Sequence, residues 1–274
     1  MTSSPAEIPA NRKSRLNLPR LAVLLLVGTV IGFWLAVTPS GLMGKADAIA
    51  YAVCHRISLR SFHLGDRPLP LCARCSGMYL GALLTLIYYT LIRPRAGLYP
   101  NRRLVAIFVL FGFSWAIDGL NSYMHLFPSA PHLYQPSNTL RIITGSLIGI
   151  ALATLVYPVF NQTVWRKWRH EPILRSPGEL VKLLILAAGL VGLMITENPL
   201  ILYPMALLGS FGVLVLLALI YTTMSLTILR LDNRADSWRD LVLPLIAGLA
   251  LGIIQITLLS LGRYLLTVES GLIF

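Results

Sequence analysis

The sequence predicts an all-α integral membrane protein, a polytopic bundle of about seven transmembrane helices. Three observations carry this. Of the 274 residues 56% are hydrophobic and only 12% charged; the mean hydropathy is +0.72; and the apolar residues fall into stretches near the about 20 residues that a helix needs to cross a hydrocarbon core. Soluble globular domains do not have this balance. A net charge of +12 would suggest nucleic acid in a soluble chain. Here the basic residues sit in short runs between apolar stretches, which reads as topology in a lipid bilayer, and no nucleic-acid partner is expected.

Taken in order, the opening MTSSPAEIPANRKS is polar and proline-containing, and residues 1–20 are expected to form a disordered basic tail. Span one is expected at 21–38. Its flanking basic residues and Ala46-Asp47-Ala48 imitate a secretory signal, but about 18 apolar residues exceed a signal core of about 7–15, so it reads as an uncleaved span. Spans two to seven are expected near 71–92, 104–124, 139–160, 180–196, 199–229 and 241–262. Asn101 and Asn138 suit N-caps for spans three and four. Ser176-Pro177-Gly178-Glu179 fits a capping box, with proline at the first helical position of span five. The chain therefore divides into the tail, a membrane half 21–160 with an outer Cys/His loop at 39–71, and a second membrane half 161–274.

Lys and Arg set the expected orientation. Arg12, Lys13, Arg15 and Arg20 precede span one, Arg93, Arg95, Arg102 and Arg103 lie between spans two and three, and Arg166, Lys167, Arg169, Arg175 and Lys182 lie between four and five. Arg230, Arg234 and Arg239 lie between six and seven, whereas the connections of opposite parity after spans three and five hold none. The positive-inside rule then places the amino terminus in the cytoplasm of a plasma-membrane protein, with the Cys loop and the carboxyl terminus outside. Lys45, Arg56, Arg60 and Arg67 run against that bias, only partly offset by Asp47 and Asp66. Such charges point to a local site rather than to topology.

All three cysteines lie in CHRISLRSFHLGDRPLPLCARCSGMYLG, residues 54–81. Cys72 and Cys75 share one side of the start of span two with Tyr79, while Arg74, Gly77 and Gly81 lie roughly opposite. The glycines form a small-xxx-small pair for close helix packing. Three readings of the thiols stand: redox exchange favoured by the helix dipole, a Cys3His site for zinc or iron completed by His55 or His63, or a structural disulfide joining Cys54 to one of the other two. Unlinked buried thiols are the plain alternative.

Span three holds Ser114, Asp118, Asn121 and His125 on one stripe. A carboxylate at that depth costs about 2.5–3.5 kcal/mol on an insertion scale and must be paired, protonated or facing water. Arg141 on span four is its nearest expected partner, Arg74 the other; Gly145 and Gly149 follow Arg141 on a face suited to close packing. His132 reads as a solvated loop residue, and Trp34, Tyr51, Tyr123 and Tyr134 as interfacial aromatics.

CH with RSF, then LCARCSG, IDGLN and SNTLR in that order resemble a family of predicted prokaryotic membrane proteins, domain of unknown function 2085, over roughly residues 45–160. The resemblance marks Cys54, His55, Arg60, Ser61, Phe62, Cys72, Arg74, Cys75, Gly77, Asp118, Asn138 and Arg141. It implies His55 or Asp118, rather than His63, as a fourth ligand. The family position of Cys75 is able to be aspartate in some members, so the resemblance also favours a metal over a disulfide. It implies no known activity.

The expected function is that of a metal-dependent membrane enzyme or a metal-binding membrane protein, with Cys54, His55, Cys72 and Cys75 as ligands to zinc or iron. Arg60, Arg74 and Arg141 would hold an anionic group of a small or lipid-linked substrate, bordered by Ser61, Asn121 and Asn138, and Asp118 would act as acid or base or orient an arginine. The alternatives are a proton or solute transporter and a thiol–disulfide or structural partner. The thiols and Asp118 are expected to converge on one outward-facing pocket.

Overall fold

The computed structural model describes residues 18–127, 131 and 133–270. Nearly all of the expected disordered tail, and His132, lie outside these. Helix α1 spans Leu18–Val37, α2 Gly41–Val53, α3 Ala73–Ile92, α4 Arg102–Met124, α5 Asn138–Val164, α6 Pro177–Ile195, α7 Pro199–Ile228 and α8 Trp238–Ser270. Seven of them, all but α2, are long and apolar enough to cross a membrane. The protein is an all-α polytopic bundle.

Local chemistry sets the helix starts. Asn101 Oδ1 accepts from Leu104 N at 3.0 Å, capping α4 as expected. Ser176 caps α6, its hydroxyl accepting from Glu179 N at 3.4 Å, but Glu179 reaches back to Arg175 N at 2.8 Å, one residue earlier than a standard capping box. At α5 the cap is Ser137, which accepts from Leu140 N at 3.1 Å. Asn138 instead turns its side chain toward Ser61 and Arg141.

The core of the motif-bearing half is the crossing of α3 on α5. A Cβ added at Gly77 would overlap the Ile142 carbonyl, one at Gly81 would sit 2.7 Å from the Ser146 carbonyl oxygen, and Cβ atoms at Gly145 and Gly149 would overlap the Arg74 and Met78 carbonyls. The two glycine pairs face each other, so the backbones meet without intervening side chains. Below this crossing Tyr89, Ile150, Ala153 and Leu183 are buried in an apolar cluster. Tyr89 and Thr154 hydroxyls satisfy each other at 2.8 Å, as lipid-depth polar groups must.

The two ends of the bundle differ. At one, the connections after α3, α5 and α7 are tied together. Strand β3, Ala96–Leu98, pairs in parallel with β4, Arg169–Pro172, and Trp165 bridges to Ala235. Arg93 pairs with Glu171 and Glu179, and the Arg95 guanidinium lies 3.9 Å over the Trp165 ring. At the other end lie the loop after α2 and the α4–α5 connection. The stretch expected to be a loop between spans one and two contains α2, whose Ala46, Ile49 and Ala50 are buried. It also contains a 3-10 turn, Ser58–Arg60, and a hairpin of two short antiparallel strands, β1 at His63–Leu64 and β2 at Arg67–Pro68. Gly65, at φ 63°, makes the hairpin turn.

Candidate functional site

The α2 terminus and the start of α3 bring the three thiols together. Cys54 ends α2 and Cys72 sits just before α3, with Cys75 one turn inside it. Their sulfurs all lie within 4.8 Å of one another, all three are free thiols, and the Cys72 N–H donates to the Cys54 sulfur at 3.3 Å. Buried Cys54, 4% exposed, packs with Trp34, Leu71 and Val213. Arg263 of α8 clasps the loop from behind, donating to the carbonyls of Tyr51 at 2.9 Å, Cys54 at 2.6 Å and His55 at 3.1 Å.

The Cys72 and Cys75 thiols donate toward Cys54 and hold its thiol far below the ordinary range against the opposing cost of burial. The same bond to Cys54 pushes Cys72 up to about 11, helped by burial. His55 stands outside the thiol group with an exposed side chain, and His63 Nε2 is 2.9 Å from the Ser58 hydroxyl.

On the opposite face of α3 a second cluster forms. Arg74 Nε donates to Asp118 Oδ2 at 3.0 Å, and its Nη2 reaches the same carboxylate, the Asp118 carbonyl and, at 3.0 Å, the Ser122 hydroxyl. Asp118 also accepts from Tyr134 at 3.1 Å and Thr144 at 3.3 Å. Arg60, on the 3-10 turn, donates to the Ser122 carbonyl at 2.7 Å. Burial, and then the Arg74 charge, lower the Arg60 guanidinium from its ordinary value, and negative charge at Cys72 opposes them. Arg141, 6% exposed, gives Nη1 to Asn138 at 2.8 Å and has a buried Nε with no partner among the described residues.

The remaining expected site residues hold loops. Ser61 bonds the Ile57 carbonyl and accepts from Asn138 at 3.3 Å. Asn121 grips the α4–α5 connection, accepting from Leu133 N at 2.7 Å and donating to the Tyr134 carbonyl at 2.9 Å. Tyr134, expected as an interfacial aromatic, is thereby set on Asp118. The thiols and the Arg74–Asp118 pair thus lie on opposite faces of the first turns of α3, two neighbouring clusters rather than the single pocket expected.

Residues 54–155, which hold both clusters, match the family model described as "Predicted membrane protein (DUF2085)". An uncharacterized protein of Methanothermobacter thermautotrophicus is 33% identical over 103 residues, 38% of this chain and 83% of that protein. This chain belongs to the DUF2085 family. An uncharacterized protein of Methanocaldococcus jannaschii is 28% identical over 123 residues, 44% of this chain and 72% of that protein. No solved structure matches. The DUF2085 match begins at Cys54 and ends within α5. It therefore excludes α1, α2 up to Cys54, and α6 to α8, which flank the site and clamp it.

Sequence reasoning missed Ser122, Thr144 and Tyr134. Ser122 was within reach, since it lies four residues after Asp118 and so on the same helical stripe. Thr144 lies three after Arg141. Tyr134 had no such signal, because a loop alone carries it to the carboxylate.

Proposed function

We propose that this DUF2085 protein binds a zinc or iron ion through Cys54, Cys72 and Cys75, beside a cationic pocket for an anionic group of a small or lipid-linked substrate at the extracytoplasmic face. The carrying observation is the meeting of three sulfurs within 4.8 Å from two separated segments. Tetrahedral zinc, with Zn–S near 2.3 Å, holds its sulfurs about 3.8 Å apart, so small inward shifts suffice. Thiolates are the soft donors that select zinc and iron. Three protein ligands with a fourth position left to water or substrate is the donor count of catalytic zinc, whereas His55 in that position would make a closed Cys3His site. A metal there would supply a Lewis acid.

The chain's own residues would bind and orient. Arg74 pairs with Asp118, whereas Arg60 bonds the Ser122 carbonyl and Arg141 the Asn138 amide, so among the described residues the cluster carries excess positive charge. The unpartnered Arg141 Nε is a buried donor suited to an anionic oxygen. Asp118 fixes Arg74, and Tyr134 and Thr144 fix Asp118. Thiol–disulfide exchange is the second reading, favoured by a low-lying Cys54 thiol beside two partners.

Elemental analysis of protein purified without added metal decides between them. The metal reading expects about one equivalent of zinc or iron, lost in Cys72→Ser. Metal-free wild type carrying one disulfide by mass would overturn it in favour of exchange.

A further inference from the structure

Beside the thiol end of the bundle, α1, α2 and α8 enclose a cleft of about 430 Å³. It continues along α1 and α8 into a second, wholly apolar space of about 170 Å³ that shares Phe33, Trp34 and Thr257 with it. The walls are one face of each helix: Val30, Phe33 and Val37 of α1 recur at helical spacing, as do Ile253, Thr257 and Leu261 of α8. From Ile253 to Tyr264 the α8 wall rises about 16 Å, half of a hydrocarbon core of about 30 Å. That length is about the thickness of one leaflet.

Its mouth is charged. Asp47 and Arg56 line it and pair at 2.8 Å, and Arg67 pairs with the same carboxylate from the hairpin. Lys45 lies 5.8 Å from the Trp34 ring and spends its ammonium on the neutral oxygens of Leu35 and Thr38. Arg263 lies 4.5 Å over the Tyr51 ring and bonds only carbonyls. Among the described residues Arg56 lines this rim, with Lys45, Arg67 and Arg263 on the segments that border it, against the carboxylate of Asp47 and, in the hairpin turn, that of Asp66, so cations outnumber acids here. An apolar trough about one leaflet long, under a rim of excess positive charge, has the chemistry of an anionic phospholipid: acyl chain in the groove, phosphate at the rim.

We propose that the α1–α2–α8 groove is a binding site for an anionic phospholipid of the leaflet on the thiol side, with one acyl chain lying between α1 and α8. The site is separate from the metal centre. An acyl chain there would be flanked by α1, α2 and α8.

Phosphatidylglycerol carrying a photoactivatable group in its acyl chain, incorporated with the full-length protein in nanodiscs, tests this against a matched phosphatidylcholine probe. Peptides containing Trp34 and Thr257 should carry most of the label, with phosphatidylglycerol preferred. Ser260→Trp, and independently Ala48→Phe, should each lower labelling of those peptides about tenfold. Arg56→Gln should lower the preference for phosphatidylglycerol about fivefold while leaving chain labelling in place. Label spread evenly over all exposed helices, groove labelling unchanged in both filled variants, or equal labelling by the two lipids would each overturn the proposal. Metal content is no criterion in this experiment, so the lipid site and the metal reading stand or fall separately.

Discussion

Removing the Asp118 carboxylate would leave the guanidiniums of Arg60, Arg74 and Arg141 facing one another across the ends of α3, α4 and α5. Asp118 is 1% exposed, and its partner Arg74 is 17% exposed. A buried ion pair adds little over apolar packing, but deleting one partner costs about 3–5 kcal/mol, with the residual exposure of Arg74 placing this case toward the lower end. Asp118→Asn should therefore lower the thermal unfolding midpoint in detergent, and sulfate should recover more stability in the variant than in wild type because the carboxylate that pairs with Arg74 is then gone. An unchanged midpoint with no sulfate effect would mean that the carboxylate does not neutralise the cluster. The sequence disclosed that Asp118 needs a cation and named both arginines, yet ranked Arg141 first. The fold chose Arg74 because α3 and α4 both pack on α5, which lets the long Arg74 side chain reach across to Asp118, a distance that no spacing rule contains.

At the scale of elements, the same crossing is the frame on which both clusters hang. Gly149 of α5 lies against the Met78 carbonyl of α3, and Gly145 against that of Arg74. A side chain at Gly149 must push the helices apart or strain one of them, an overpacking cost of about 1–3 kcal/mol or more. Gly149→Leu should lower thermal stability by that amount and weaken metal retention, because α3 carries Cys75. Gly189→Leu on α6, where a Cβ would meet nothing within 4 Å, is the matched control and should be silent. Equal behaviour of the two variants would show that the crossing tolerates separation. Long spans and their facing glycines were readable because hydropathy and four-residue spacing are local signals. Helix α2 was not, since 13 residues including Lys45 and Asp47 are too short and too polar for a span, and its burial against α7 and α8 is a tertiary effect. The β3–β4 pairing was hidden for the same reason, as its strands lie on different connections.

For the whole molecule, the two ends carry their basic residues in different ways. Lys45, Arg56, Arg60 and Arg67, which run against the charge bias, all have work at the thiol end: α1 carbonyls for Lys45, Asp47 for Arg56 and Arg67, and the Ser122 carbonyl for Arg60. Contacts of this kind account for basic residues on a side that topology alone would leave poor in them. At the opposite end Arg93 and Arg166 pair with Glu171, Glu179 and Asp236, but acidic residues weigh little in the positive-inside rule, so the bias there persists. We therefore expect the end with β3 and β4 to be cytoplasmic and the thiols to face outward. Alkaline phosphatase, active only after export, should be active when fused after Phe274 and inactive when inserted between Leu231 and Asp232, and a fluorescent protein that matures only in the cytoplasm should give the reverse pattern. An active enzyme at 231–232 with an inactive carboxyl-terminal fusion would turn the bundle over. The thiols would then meet the reducing cytoplasm, where a metal site is still tenable and a structural disulfide is not.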